Sequence, residues 1–286
     1  MKLCYLCALC VKMFAFPKKS YFYKMKIKLS TVFIVACTLL VLPAFAQQSP
    51  DTNGFTHKAE AQNLLQGMTR EGKWVLYLDS DMHATPDTNA PYYSLVLFKE
   101  GKAQGRGRTY YKSGKIYFTV FYDNGKKSGS ESMLYEDGKL KGTAAFKDDK
   151  QNGVTKMYYK NGQLKGEYPF EEDKQNGVAK EYYPSGKIKG EFPYKDSRQD
   201  GLEKDYYESG VVKGEYPFKD GKRNGTLREF YESGLLKDEY NCVDDKKNGM
   251  YKEYYPEGKL QMEVQFNNGV PGTPVAYDKN GNKLGK

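Results

Sequence analysis

The chain holds two histidines and five cysteines in 286 residues, and each scarcity closes a class of chemistry. His57 and His83 stand 26 apart, one in a polar segment and one in a loop, with no partner set for a histidine-led catalytic centre. Cys4, Cys7, Cys10 and Cys37 all precede residue 47, so beyond it Cys242 is alone and no internal disulfide can form. Asp79, Asp81, His83 and Asp87 offer oxygen and imidazole donors suited to divalent ions, but their spacing matches no established site and they read as a polar solvent loop. Ser-Gly dipeptides at 113, 185, 209 and 233 lack both the preceding glycine and the following helix of a nucleophile elbow, so they read as turns. After residue 46 there is no phosphate loop and no zinc pattern; Cys242 reads as a small packed hydrophobe. The expectation is a protein that is not an enzyme, with no catalytic residue, no metal site and no cofactor.

The formal charge of +9 suggests a nucleic-acid or membrane partner until it is located. Residues 1–46 carry seven lysines and no acid, which leaves 38 basic and 36 acidic residues, net +2, for the remainder. The excess belongs to the leader, so nucleic acid is not expected as a partner and membrane contact is disfavoured. Within that leader, Met25-Lys26-Ile27-Lys28 is a basic start, Leu29 to Leu42 an apolar run, and Ala44-Phe45-Ala46 a cleavage motif. This reads as an export signal cut after Ala46, with Met25 as the true start and a periplasmic, outer-membrane-associated or secreted product. Two other fates stay open: Ile34-Val35-Ala36-Cys37 resembles a lipobox that would lipidate Cys37, and residues 29–46 are long enough for an uncleaved anchor. The spacing of Cys4, Cys7 and Cys10 suggests metal ligands, yet they lie in an apolar stretch ahead of Met25. The domains expected are a leader over 1–46, a mobile linker over 47–71 with a helix-compatible patch at Lys58 to Met68, and a repeat domain over 72–286.

What is abundant is repetition. Gly105, Gly129, Gly153, Gly177, Gly201, Gly225 and Gly249 open units 24 residues apart, and Gly272 follows 23 further on. Turn glycines keep step from Gly114 to Gly281, and an irregular first unit runs from Gly72 to Gly105 with about nine extra residues around Asp81 to Pro91. Pro184-Ser185-Gly186 and Pro256-Glu257-Gly258 are three-residue hairpin loops by their turn chemistry. The fold predicted is all-β, one elongated antiparallel sheet of eight to nine stacked hairpins, its two end strands needing cover.

With the opening glycine as zero, the loop predicts that position 6 faces 10, 5 faces 11, 4 faces 12 and 3 faces 13. One face then packs positions 1, 5, 11, 15 and 17 (Val178, Tyr182, Ile188, Phe192 and Tyr194 in one unit), with the position 5 ring over the glycine at 13 and the lysine at 3 laid across it. The other pairs Glu181 with Lys189, Asp205 with Lys213 and Glu229 with Lys237. Pro169, Pro193 and Pro217, all at position 16, predict a gap or bulge in the ladder there.

The second tyrosine of each pair, Tyr111, Tyr135, Tyr159, Tyr183, Tyr207, Tyr231 and Tyr255, forms a stripe on the ion-pair face, opposite Lys115, Lys139, Lys187 and Lys259 in four units. Two strands per unit set its pitch at about 9.5 Å. Two readings stay open: each ring covers the lysine stem opposite, or the rings anchor a protein, an extended peptide or an envelope glycan.

The pattern G-x-x-K-x-Y-Y-x-S/N-G-x-L-K-G-E-Y-x-F, over residues 72–286, resembles the MORN repeat variant found in bacterial proteins of the YwqK-like antitoxin family. The resemblance implies stacked hairpins in an elongated sheet and a role as a protein-binding scaffold. It also implies, as alternatives, neutralisation of a partner toxin or binding to a lipid surface.

Overall fold

A computed structural model describes residues 55–285. The leader with Cys4, Cys7, Cys10, Met25, Cys37 and Ala46, and the first part of the expected linker, lie outside them. The described residues form one open antiparallel sheet, with the three residues Lys58–Glu60 in a 3₁₀ turn as the only helical element among them.

The 24-residue period appears as three strands per unit, for example Gly177–Tyr182, Ile188–Lys195 and the two-residue Arg198–Gln199. The first two make the expected hairpin. The third folds back through a second, two-residue turn in which both central residues have positive φ: Asp196 at 48° and Ser197 at 65°. This is a type I′ turn, whose twist matches that of the flanking strands. Asn124-Gly125, Asp220-Gly221 and Asn268-Gly269 occupy the same place in other units and are the sequence signal for it.

Within each hairpin the register departs from expectation at one residue. Tyr182 faces Ile188 as predicted, but Glu181 faces Gly190 and Lys180 faces Glu191, so Lys189 is an extra residue in a β-bulge. The same shift recurs in the units of Gly105, Gly129, Gly153, Gly201, Gly225 and Gly249. One added residue sends every later side chain of its strand to the other face.

The predicted packing face is therefore split. Positions 1, 3, 5, 11, 14 and 16 share one face, and positions 2, 4, 13, 15 and 17 share the other. Val178 is 49% exposed, whereas its neighbour Ala179 is 1% exposed and Leu227, at the same position as Ala179, is fully buried. The ring over the glycine is that of position 15 rather than 5: a Cβ on Gly166 would lie 2.5 Å from the Tyr168 hydroxyl oxygen, and one on Gly190 2.5 Å from Phe192 Cζ. The lysine at position 3 stays off the core and pairs with position 14, as in Lys156–Glu167 at 2.9 Å and Lys180–Glu191 at 3.4 Å. Buried residues gather on the second face, where Tyr216, Phe218, Leu227 and Cys242 form one cluster.

Neighbouring units are joined by the long second strand. Its Gly166 and Glu167 pair with Glu181 and Lys180 of the next unit, and its Phe170 pairs with Gln175. Between these rungs Asn176 to Ala179 bulge past Tyr168 and Pro169, which is the gap the prolines predicted. The opening Gly177, at φ 108°, brings its backbone against the Pro169 ring, where a Cβ would be 3.2 Å from Cγ.

The first edge is covered. The patch expected to be compatible with a helix is instead the short turn followed by strand Leu64–Gln66, which pairs with Thr69–Leu78. Phe55 is buried with Leu95 and Tyr110, and the Asn63 carboxamide oxygen accepts from the Val75 N–H at 2.9 Å. The supposed linker is thus an N-terminal cap from Phe55 onward.

Candidate functional site

The second tyrosine of each pair sits where the first strand meets the hairpin loop. Its backbone closes that loop: Tyr183 N–H donates to Lys187 O at 2.8 Å, and Tyr183 O accepts from Gly186 N–H at 2.8 Å. The ring then reaches across to the next unit. Tyr183 donates its hydroxyl to Tyr206 O at 2.7 Å, Tyr159 to Tyr182 O at 2.8 Å and Tyr207 to Phe230 O at 2.8 Å. Tyr111, Tyr135, Tyr231 and Tyr255 do the same to Leu134, Tyr158, Tyr254 and Tyr277, at 2.8 to 3.2 Å. All seven residues of the stripe are half-buried, and all seven form one hydrogen-bonded ladder along the sheet.

Cations sit over the rings, though not those placed opposite by the sequence. Lys141 and Lys160 lie 5.7 and 5.9 Å from the Tyr135 ring centre, Lys165 lies 5.8 Å from Tyr159, and Lys213 lies 5.7 Å from Tyr207. Lys187 instead donates to Glu208 O at 2.9 Å. Burial pushes the phenols of Tyr111, Tyr183, Tyr207 and Tyr231 upward, so they remain protonated donors at neutral pH. Tyr183→Phe is expected to lower stability by about 1 kcal/mol through loss of one hydrogen bond. Urea unfolding reads that loss, and faster amide exchange at the 183–206 junction locates it.

Of the three predicted cross-strand pairs, Glu181–Lys189 closes at 2.8 Å and Glu229–Lys237 at 2.7 Å, despite the bulge. The bulged lysine points to the same side as the acid. In the third pair Lys213 lies over Tyr207, and burial pushes the Asp205 carboxyl up.

The first tyrosine of each pair serves the opposite face. Tyr182 donates to Glu167 of the preceding unit at 3.1 Å and Tyr206 to Glu191 at 3.0 Å, and these are the acids already paired with Lys156 and Lys180. Single-unit register counting misses this lysine–glutamate–tyrosine chain because it crosses between repeats.

On the core face a polar row runs beneath the aromatics. Lys127 pairs with Glu131 at 2.8 Å, the Gln151 amide donates to Thr155, and the Gln199 amide donates to Glu203 at 2.5 Å. Glu203 is 1% exposed and its Oε1 has no partner. Burial, reinforced by the Asp205 charge, pushes its carboxyl up to about 8. Cys242 is 1% exposed and burial raises its thiol, which disfavours the reactive thiolate.

Asp79, Asp81 and His83 bring one donor atom each within 4.8 Å of one another. Asp79 Oδ1 accepts the backbone N–H groups of Asp81 at 3.0 Å and His83 at 2.9 Å, so this carboxylate organises the loop. Asp87 is apart from the three and accepts from Asn89 N–H at 2.8 Å. Among the described residues no helix is long and apolar enough to cross a membrane.

The family described as the MORN repeat variant matches residues 103–126, 151–172, 175–196, 199–220 and 247–268. The hairpins opening at Gly129 and Gly225 fall between matches yet keep the same register and bulge. They depart in side chains: Leu134 stands for the first tyrosine and Ala144 for the ring at position 15 in one, and Asp238 replaces the glycine at position 13 in the other. Among solved structures the chain is similar to a porin-like protein from Bacteroides uniformis ATCC 8492, at 11% identity over 73% of this chain and 91% of that one, with a TM-score of 0.19. It is also similar to TcdB2-TccC3, at 12% identity over 66% of this chain and 16% of that one, with a TM-score of 0.15. Neither likeness carries weight for fold or function at such scores. No curated protein matches the chain.

Proposed function

With MORN repeat variants at five hairpins as the premise, we propose that the chain is a non-enzymatic scaffold that docks another protein along its tyrosine ladder. The observation that carries this reading is the ladder itself. Seven half-buried rings recur at about 9.5 Å, each oriented by its hydroxyl bond to the next unit, with lysine ammonium groups over four of them. A partner meets rings whose orientation is already fixed, so little side-chain entropy is lost on docking. The hydroxyls hold the sheet together, and the ring surfaces and cations are what remains for recognition.

The export signal over Met25–Ala46 places this scaffold outside the cytoplasm in our reading. The antitoxin role implied by the YwqK-like resemblance would use the same surface against a toxin.

Affinity capture from an envelope fraction tests the docking surface. The expected result is a partner retained by the full chain and lost with Lys141→Glu/Lys165→Glu, two changes beside the rings that leave the ladder bonds intact. Equal capture by both forms would place docking elsewhere.

A further inference from the structure

The ladder surface is electrically polar along its length. In the units opening at Gly105, Gly129, Gly153 and Gly177, positions 4, 7, 8, 10, 12 and 13, which border the tyrosine, hold eight lysines and three acids. In the units opening at Gly201, Gly225 and Gly249 the same positions hold three lysines and seven acids, of which Asp238 is buried and six reach the surface. The reversal falls beside Tyr183, the middle ring of the seven. It is specific to this edge: the other positions of the same units are balanced, with eleven basic and eleven acidic residues in the first four and eight basic and seven acidic in the last three.

A surface whose two halves carry opposite charge is complementary to itself turned end for end. We propose that the ladder docks a second copy of this chain about a two-fold axis at Tyr183, with the basic half of each copy over the acidic half of the other. This rests on the reading of the ladder as a docking surface and names its occupant. The axis sets the pairing by symmetry. The Tyr159 unit of one copy lies over the Tyr207 unit of its partner, so Lys165 faces Glu208. The Tyr135 unit lies over the Tyr231 unit, so Lys141 faces Glu232. Lys165, Glu208 and Glu232 are exposed and Lys141 is half-buried. The reach is sufficient: six intervals of about 9.5 Å give a track of about 57 Å. A strip about 14 Å wide along it supplies the roughly 800 Å² per partner that a stable interface needs.

Like-on-like stacking in the parallel sense would set the eight-lysine half against itself, so the antiparallel arrangement is also selected by repulsion. The rings supply apolar contact at the centre of the strip, and the charges set direction.

Sedimentation equilibrium of the purified full chain tests this at about 0.05 M and 0.5 M salt. A dimer is expected at low salt, weakened at least tenfold at high salt. Lys141→Glu and Glu232→Lys should each weaken it at least tenfold, and the double variant, which restores opposite charges across the axis, should return it close to wild type. Thermal unfolding of the three variants confirms that the sheet is intact. A monomer at low salt overturns the proposal, and so does a double variant no better than either single one. A purified chain that is monomeric while Lys141→Glu/Lys165→Glu still abolishes envelope capture removes the second copy and leaves the scaffold reading standing. A dimer whose charge-swap cycle closes, with no envelope partner captured, makes the second copy the docking partner.

Discussion

Glu203→Gln is expected to stabilise the protein at neutral pH and to leave it nearly unchanged at pH 4. The carboxyl is 1% exposed, one oxygen is bonded to the Gln199 amide and the other has no partner. Burial is the main cause of its raised proton affinity and Asp205 and Glu181 add to it, while the Gln199 hydrogen bond and Arg223 work against them. An unfolded chain releases the proton near the ordinary value of 4.5, whereas the folded chain holds it up to about 8. Below both values the group is protonated in both states and contributes no pH dependence. Between them the unfolded state is ionised and the folded state is not, so wild-type stability falls as pH rises, by about 1.4 kcal/mol per unit. The substitution removes that slope and should therefore gain on the order of 3 kcal/mol at pH 7, rising until about pH 8. Urea unfolding at pH 4, 7 and 9 measures it. A gain that is the same at all three would mean that Glu203 is not held protonated. Asp238, whose carboxyl burial pushes up to about 6, is present in both proteins and cancels in the comparison.

Gly190→Ala should be a strongly damaging single methyl, at about 2–3 kcal/mol. The added carbon would sit 2.5 Å from Phe192 Cζ and 3.0 Å from Asp205 Oδ1, so the ring must leave the core face. A double-mutant cycle identifies which ring is responsible. In a Phe192→Ala background the methyl should cost at least 1 kcal/mol less. In a Tyr182→Ala background its cost should not change, because that tyrosine lies on the other face and reaches Glu167. The opposite result would restore the packing expected from a hairpin without a bulge.

The two variants mark how far the sequence could be read. Glycine spacing and Pro-Ser-Gly turns state the period, the hairpins and the pairing of Tyr182 with Ile188, because these depend on φ preferences within a few residues. The position 16 prolines likewise forecast the gap between units, since a missing N–H is a local fact. The second turn was also legible, in Asn124-Gly125, Asp220-Gly221 and Asn268-Gly269, but the other units carry acids there and hide it. The stripe of Tyr111 to Tyr255 was visible as a set of positions. Its hydroxyl bonds were not, because each acceptor is a carbonyl 22 or 23 residues away that register within one hairpin never brings into view.

By itself the sequence determined an all-β repeat of 24-residue hairpins, with adjacent tyrosines on opposite faces. Only the tertiary structure decided which face is the core. The deciding feature is one bulged residue per hairpin, Lys189 in the Gly177 unit, and a bulge leaves no mark in a hydrophobic pattern of period two. It recurs both with glycine at position 13 and with Phe118, Asp238 or Met262 there; at Gly166 and Gly190 the ring at position 15 lies back over the glycine, and the next unit pairs alongside. Those contacts are non-local, and so the identity of the buried row, Ala179, Glu203 and Leu227 in place of Val178, Leu202 and Thr226, belongs to the assembled sheet.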